Sequence, residues 1–137
     1  MSRPMLPSTR AYIEGMERLY ADGNHEIALG ASFGLENMAI PMWDHLIPGL
    51  RILRGLRYPA MDLTYFTFHR DLESSHEDAM AHAVAVLESG QTAGQAGLSV
   101  RARVDFRRGS EAVLDYLRGF WKGLDQSSNK PRSYSAA

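Results

Sequence analysis

The chain has 137 residues, and its 45% apolar content is enough to build one hydrophobic core. Its 15 basic and 16 acidic residues nearly cancel, so no global charge attracts nucleic acid or an anionic membrane. The absence of cysteine excludes disulfides, thiolate zinc sites and cysteine nucleophiles. The sequence shows no leader pattern and no apolar stretch of membrane-spanning length, so we expect a cytoplasmic protein.

Two helices are predicted before residue 47. Ser8 or Thr9 is suited to cap the first, whose apolar residues recur at three- and four-residue spacing up to a turn at residues 22–24. The run from about residue 26 to residue 46 is apolar on nearly every face, which is typical of a helix in the middle of a bundle. Pro41 lies inside this run and predicts either a kink or a break into two segments.

A turn and a long third helix follow. Proline and glycine at positions 48–49 indicate the turn, and residues 50–56 are predicted to form a short helical piece after it. Residues 61–88 contain neither proline nor glycine and keep a 3.6-residue apolar pattern. We therefore predict one long helix over that range.

The C-terminal part of the chain is predicted to hold a connection, a helix and a tail. Residues 91–108 are interpreted as a connection, although the alternation of apolar and polar residues over 100–106 is also typical of a strand. An amphipathic helix is predicted from residue 110 to about residue 124. The sequence thus predicts one all-α domain over residues 1–125, followed by a disordered tail over 126–137.

Three ionisable residues lie on one face of the predicted third helix. At about 100° per residue, His69, Glu73 and His76 fall within roughly 60° of one another. The rest of that face is apolar and includes Tyr65 and Phe66. A buried carboxylate or imidazolium costs several kcal/mol unless it is paired or bound to a metal. The spacing therefore indicates a metal-binding face.

Glu36 is a second carboxylate within an apolar face, that of the second helix. If the two faces pack against each other in the bundle, Glu36 approaches His69, Glu73 and His76. Imidazole and carboxylate ligands without sulfur suit Fe(II), Mn(II) or Zn(II), and we predict a metal site made of these four residues. The alternative is that they form only a hydrogen-bonded network in the core, with Glu73 paired to Arg70 or His76.

The order of these residues resembles that in the heme-oxygenase-like diiron oxidases and oxygenases. In that family one helix supplies a Glu, as Glu36 does at the end of Ala-Leu-Gly-Ala-Ser-Phe-Gly-Leu-Glu. A later helix supplies His, three residues, Asp or Glu, two residues and His, which is the spacing of His69, Glu73 and His76. The Pro-Ser-Thr-Arg-Ala-Tyr segment that begins at Pro7 and the closing helix over residues 109–124 also resemble the flanks of those elements.

The resemblance implies a heme-oxygenase-like helical bundle that holds one or two Fe(II) ions, with Mn(II) as an alternative, on Glu36, His69, Glu73 and His76. Family members carry another Glu and His on a preceding helix. The resemblance therefore implies that this chain matches the C-terminal part of the family only, as an N-terminally truncated bundle. Such a bundle exposes apolar helix faces, so a homodimer, or a second chain that supplies the missing helices, is expected.

The function implied by the resemblance is activation of dioxygen to oxidise a small organic acid or amine. Phe33, Trp43, Tyr65 and Phe66 are expected to form the apolar wall of the substrate pocket. The partners are then a small-molecule substrate and dioxygen, with neither nucleic acid nor membrane. The alternative is a catalytically inactive helical remnant or binding module, in which the four polar residues make only a buried His/Glu network.

Overall fold

The computed structural model of the chain describes residues 4–21, 23–89 and 99–128, and all regular structure in those ranges is α-helical. The four helices are α1 (Pro7–Ala21), α2 (His25–Leu56), α3 (Thr64–Ser89) and α4 (Val100–Ser128). The prediction of an all-α helical bundle is confirmed. Over these ranges, no helix combines the length and the apolarity needed to cross a bilayer.

The boundary between α1 and α2 follows from local backbone chemistry. Helix α1 begins at Pro7, one residue before the expected cap, because a proline in the first helical position has no N–H group to leave unpaired. Gly23 has a φ of 72°, a left-handed conformation that glycine adopts without strain. Asn24 then caps α2, since its side-chain oxygen accepts a 2.9 Å hydrogen bond from the backbone N–H of Ile27.

Helix α2 is one continuous element of 32 residues, so of the two alternatives expected at Pro41, a kink or a break, the break was wrong. It runs through both Pro41 and Pro48, and the expected turn at 48–49 and separate piece over 50–56 are its last turns. A proline inside a helix costs about 3 kcal/mol because it removes a backbone hydrogen bond and crowds the preceding turn. Packing offsets this cost, since α2 contacts each of the other three helices.

Helix α4 starts earlier than the sequence pattern indicated. The connection predicted over 91–108, and its strand alternative, are wrong for residues 100–108, which form the first turns of α4; residues 91–98 lie outside the described residues. The hydroxyl of Ser99 accepts a 3.2 Å hydrogen bond from the N–H of Ala102 and so caps the helix. Ala102 and Phe106 belong to the alternating apolar residues, but they also lie on one helix face together with Gly109.

The two remaining boundaries differ from expectation by a few residues. Helix α3 begins at Thr64, whose N–H donates a 2.9 Å hydrogen bond to the Asp62 carboxylate. Helix α4 continues to Ser128, three residues into the predicted tail, and residues 129–137 lie outside the described part of the chain.

The hydrophobic core lies among α1, α2 and α4. Its buried centre consists of Leu19, Ile27, Ala31 and Val113. Helix α3 takes no part in this centre and packs against α2 alone among the described helices. One face of α2 therefore completes the core with α4, and another face packs against α3.

The backbones of α2 and α4 approach each other closely at two glycines. A Cβ atom added to Gly30 would overlap the carbonyl oxygen of Phe106, and one added to Gly109 would overlap that of Ile27. Both glycines are buried, and neither contact can be relieved by rotation of a side chain. The crossing of α2 and α4 therefore requires the absence of a side chain at both positions.

This crossing predicts opposite effects for two Gly→Ala substitutions. Gly30→Ala should lower the free energy of unfolding by about 2–3 kcal/mol, because the helices must separate to admit the methyl group. Gly119→Ala, in the same bundle but with open space around the added Cβ, should raise it by about 0.5–1 kcal/mol through helix propensity. Urea unfolding followed by circular dichroism measures both, and equal stability of the two variants would contradict the close approach.

Candidate metal centre

Three of the four predicted ligands meet where α2 and α3 pack together. Helix α2 supplies Glu36, and α3 supplies Glu73 and His76 from successive turns of one face. One ligand atom from each of the three lies within 4.8 Å of the others. The packing of the two predicted faces thus brings the two carboxylates and one imidazole to a common point.

Glu73 is the most deeply placed member of the group. It is 8% exposed, and it is the one buried charged residue in the described part of the chain. Its Oε1 atom accepts a 3.2 Å hydrogen bond from the indole N–H of Trp43, whereas its buried Oε2 atom has no hydrogen-bond partner. A buried carboxylate oxygen without a donor is costly, and a bound cation is one of the few ways to compensate it.

The distances around His76 suit a shared ion better than direct hydrogen bonds. Its Nδ1 atom lies 3.6 Å from Oε2 of Glu36 and 3.7 Å from Oε2 of Glu73, beyond the length of an N–H···O bond. Two donors that each lie about 2.1 Å from one ion are themselves roughly 3–4 Å apart. The side chain of His76 is 51% exposed, so the group is open to solvent on this side.

The neighbours of Glu36 affect its protonation. Partial burial of Glu36 raises its pKa, and Glu73 raises it further by accepting a hydrogen bond from the protonated form and by repelling the ionised form. His76 acts in the opposite direction and lowers the pKa of Glu36. Two ionised carboxylates cannot donate to each other, so a proton on Glu36 and a bound cation are two ways to relieve their repulsion.

His69 lies on the same face of α3 but is not part of the three-residue group. Its Nδ1 atom lies 2.8 Å from the backbone carbonyl oxygen of Tyr65, to which it donates as an N–H group. This hydrogen bond leaves Nε2 as the nitrogen with a lone pair, an arrangement frequently found for metal-bound histidines. His69 also stacks on the ring of Tyr65, with centroids 4.0 Å apart.

The expected pocket residues separate into two places. Trp43, Tyr65 and Phe66 form one aromatic cluster at the α2–α3 contact, with ring centroids 6.0 Å apart for Trp43 and Phe66 and 5.4 Å apart for Tyr65 and Phe66. Phe33 packs instead on Phe106 of α4, with ring centroids 5.4 Å apart. Tyr65 is 60% exposed, because no described helix other than α2 covers α3.

Sequence reasoning did not identify the hydrogen bond from Trp43 to Glu73. The indole was interpreted as an apolar wall, and only its spacing of seven residues from Glu36, on the same face of α2, could have indicated a role at the site. Whether its N–H group meets a carboxylate depends on how α2 and α3 pack, which the spacing does not determine.

Carboxylate and histidine side chains that converge between packed helices commonly hold a metal, and these three residues fit a divalent metal of the Fe(II) type. The family comparison agrees, because the model of a family of iron-containing redox enzymes matches residues 2–108. The chain belongs to this heme-oxygenase-like family, and a general redox function follows. No curated protein and no solved structure matches the chain.

The family match does not support two details of the expected resemblance. It extends from residue 2 to residue 108, and a likeness restricted to the C-terminal part of the family is therefore not supported. The closing helix over 109–124, which was expected to resemble a family flank, lies beyond the matched residues. The segment that contains Glu36, His69, Glu73 and His76 lies entirely within the match.

The raised pKa of Glu36 predicts a pH-dependent effect of Glu36→Gln on the metal-free protein. Since the pKa of Glu36 is raised, the folded state binds a proton at this residue more tightly than the unfolded state does. The stability that this residue contributes is therefore present below its unfolded pKa and is lost as pH rises through its folded pKa. Glu36→Gln should therefore raise the melting temperature by a few degrees at pH 7 and have little effect near pH 4.

Thermal unfolding in the presence of a chelator measures this difference. Glu17→Gln, on the exposed side of α1, is the matched control and should change stability by less than about 0.5 kcal/mol at either pH. A Glu36→Gln variant that is less stable than the wild type at pH 7 would contradict the repulsion between the carboxylates of Glu36 and Glu73.

Proposed function

We propose that this protein is a non-heme iron oxidase or oxygenase that activates dioxygen to oxidise a small organic acid or amine. Glu36, Glu73 and His76 would hold one Fe(II) ion, with Nε2 of His69 as an additional ligand; Mn(II) is an alternative metal. Bound iron supplies redox chemistry toward dioxygen, which amino-acid side chains do not provide.

The observation that carries this proposal is the buried Oε2 atom of Glu73. It has no hydrogen-bond partner, and it lies beside a second carboxylate and an imidazole nitrogen. Iron is the metal named by the family, and a set of carboxylate and imidazole ligands without sulfur suits it.

The competing interpretation is an inactive module with a buried His/Glu network. Such a network should satisfy its own members, since buried polar groups in native proteins are nearly always hydrogen-bonded. Here the separations from His76 to the two carboxylates exceed hydrogen-bond length, and Oε2 of Glu73 is left without a donor. The geometry therefore favours metal binding over a purely structural network.

A cleft that is lined by Trp43, but by none of the four ligand residues, offers a place for the substrate. It measures about 260 Å³ and lies between α2 and α3 next to Trp43. Its lining includes both cations and anions, namely Arg51, Arg70, Asp44 and Asp71. Arg70 is paired with Asp44 at 2.6 Å, whereas Arg51 and Asp71 are exposed. A small cleft with both charges suits a small acid or amine better than a long apolar chain.

Anaerobic titration with Fe(II), followed by metal analysis, tests the centre. The wild type should bind about one iron per chain, as one three-residue group predicts. Glu36→Ala, Glu73→Gln and His76→Ala should each weaken binding by on the order of 100-fold or more, because each removes a ligand. His69→Ala should weaken it less, by about 10-fold, since His69 lies outside the group.

His82→Ala provides the matched control, because His82 is an exposed histidine on the same helix. It should bind iron as the wild type does. Consumption of dioxygen by the iron-loaded wild type, and its loss in Glu73→Gln, then tests the redox step. Equal iron uptake by wild type and all ligand variants would exclude the centre.

We also propose that the chain forms a homodimer through the C-terminal end of α2. Ile52 is 63% exposed, Leu56 is 82% exposed and Tyr58, just after the helix, is 50% exposed. Adjacent exposed apolar side chains of this kind are typical of an interaction surface. A second copy of the chain is the proposed occupant, because an isologous interface covers the same patch on both subunits.

Light scattering coupled to size-exclusion chromatography tests this proposal. The wild type should have about twice the 15.3 kDa mass of the chain, and Leu56→Lys should shift it to the monomer mass. Lys122→Ala, on an exposed position of α4, should leave the dimer unchanged. A wild type that is monomeric at concentrations near 100 μM would contradict the dimer. A stable dimer has a dissociation constant of about 1 μM or less and would remain associated at that concentration.

A further inference from the structure

Two neighbouring residues of α2 hold two turns of α3 by polar contacts. The indole N–H of Trp43 donates to Oε1 of Glu73 at 3.2 Å. The adjacent Asp44 accepts two hydrogen bonds from the guanidinium group of Arg70, at 2.6 and 3.3 Å. Because the two contacts lie about one helical turn apart on α3, they define both its rotation and its axial position against α2.

The Trp43 contact distinguishes the two oxygens of the Glu73 carboxylate. Oε1 accepts the indole hydrogen bond, and a carboxylate held at one oxygen cannot rotate freely about its terminal bond. Oε2 is then the oxygen that lies 3.7 Å from His76 and has no partner. The hydrogen bond from Trp43 therefore determines which oxygen the group presents.

Aromatic contacts hold the indole ring of Trp43 in turn. Its centroid lies 6.0 Å from that of Phe66, in an edge-on arrangement, and 6.4 Å from that of His69. An indole packed between two rings has little freedom to change rotamer, so its N–H direction is set before any ligand arrives.

We propose that Trp43 is a positioning residue, which orients Glu73 so that the carboxylate binds the metal through Oε2 alone. This inference rests on the proposed metal centre and adds to it a hydrogen-bonded partner outside the ligand set. Such partners determine ligand orientation, and their loss commonly weakens metal binding by on the order of 10- to 100-fold. The alternative is that Trp43 contributes only aromatic packing.

The hydrogen bond itself can be tested without metal. The chain has two tryptophans, so a ¹H–¹⁵N spectrum of the full-length metal-free protein contains two indole signals, and Trp121→Phe assigns the one from Trp43. Glu73→Leu, which removes the acceptor oxygen, should shift the Trp43 indole signal and accelerate its hydrogen exchange, while the Trp121 signal stays in place. An unchanged Trp43 signal would overturn the proposal.

The positioning role is tested by removal of the N–H group without loss of the ring. In a Trp121→Phe background, incorporation of 3-benzothienylalanine at position 43 replaces the indole N–H by sulfur and preserves the shape. Anaerobic Fe(II) binding should weaken by on the order of 10- to 100-fold, and Trp43→Phe should show a loss of similar size. The Trp121→Phe protein itself should bind iron as the wild type does.

Two results of the iron-binding experiment would overturn the inference in distinguishable ways. If the sulfur analogue binds Fe(II) as tightly as the Trp121→Phe protein, Trp43 acts through packing alone and the proposed function stands. If the wild type binds no iron, both the proposed function and this role are wrong, whatever the indole signal shows.

Discussion

The close crossing of α2 and α4 is the constraint on which the rest of the bundle depends. At Gly30 and Gly109 the backbone of each helix contacts the other directly, and an added methyl group would overlap a carbonyl oxygen on either side. Helix α2 remains helical through Pro41 and Pro48, and a face other than the one in the crossing packs against α3. The position of Glu36 is therefore set by contacts on the opposite side of its own helix, in the core with α1 and α4.

Helix α3 is held differently, and this difference explains the character of the candidate centre. It packs against α2 alone among the described helices, through an aromatic cluster, the Asp44–Arg70 ion pair and the Trp43–Glu73 hydrogen bond. A surface ion pair contributes little, so burial of a carboxylate at such a contact is unfavourable unless something compensates it. Burial of the Glu73 carboxylate is thus locally unfavourable, and unfavourable burial of charged groups is commonly found at functional sites.

Membership in a family of iron-containing redox enzymes gives this cost a chemical meaning. In a fold of packed helices, side chains from two facing helices can converge on one ion. Here Glu36 and Glu73 face each other across the α2–α3 contact, and the exposed side of His76 leaves the centre open to small molecules. Protonation of Glu36 relieves the repulsion between the two carboxylates, and the proposed cation would relieve it as well, so its binding would be coupled to the loss of a proton.

The sequence alone determined the helical class and the relation of His69, Glu73 and His76, because the 3.6-residue period is a local property of the backbone. It also indicated that Glu36 belongs with them, since a carboxylate within an apolar helix face needs a partner. Only the tertiary structure decided that α2 continues past Pro48, that α4 begins at Val100, and that His69 lies outside the three-residue group. Local propensity disfavours a helix at Pro48 and is ambiguous around Val100, and in both places long-range packing overrides it. The contact of Trp43 with one oxygen of Glu73 is of the same kind, because it depends on how two helices meet rather than on the sequence of either.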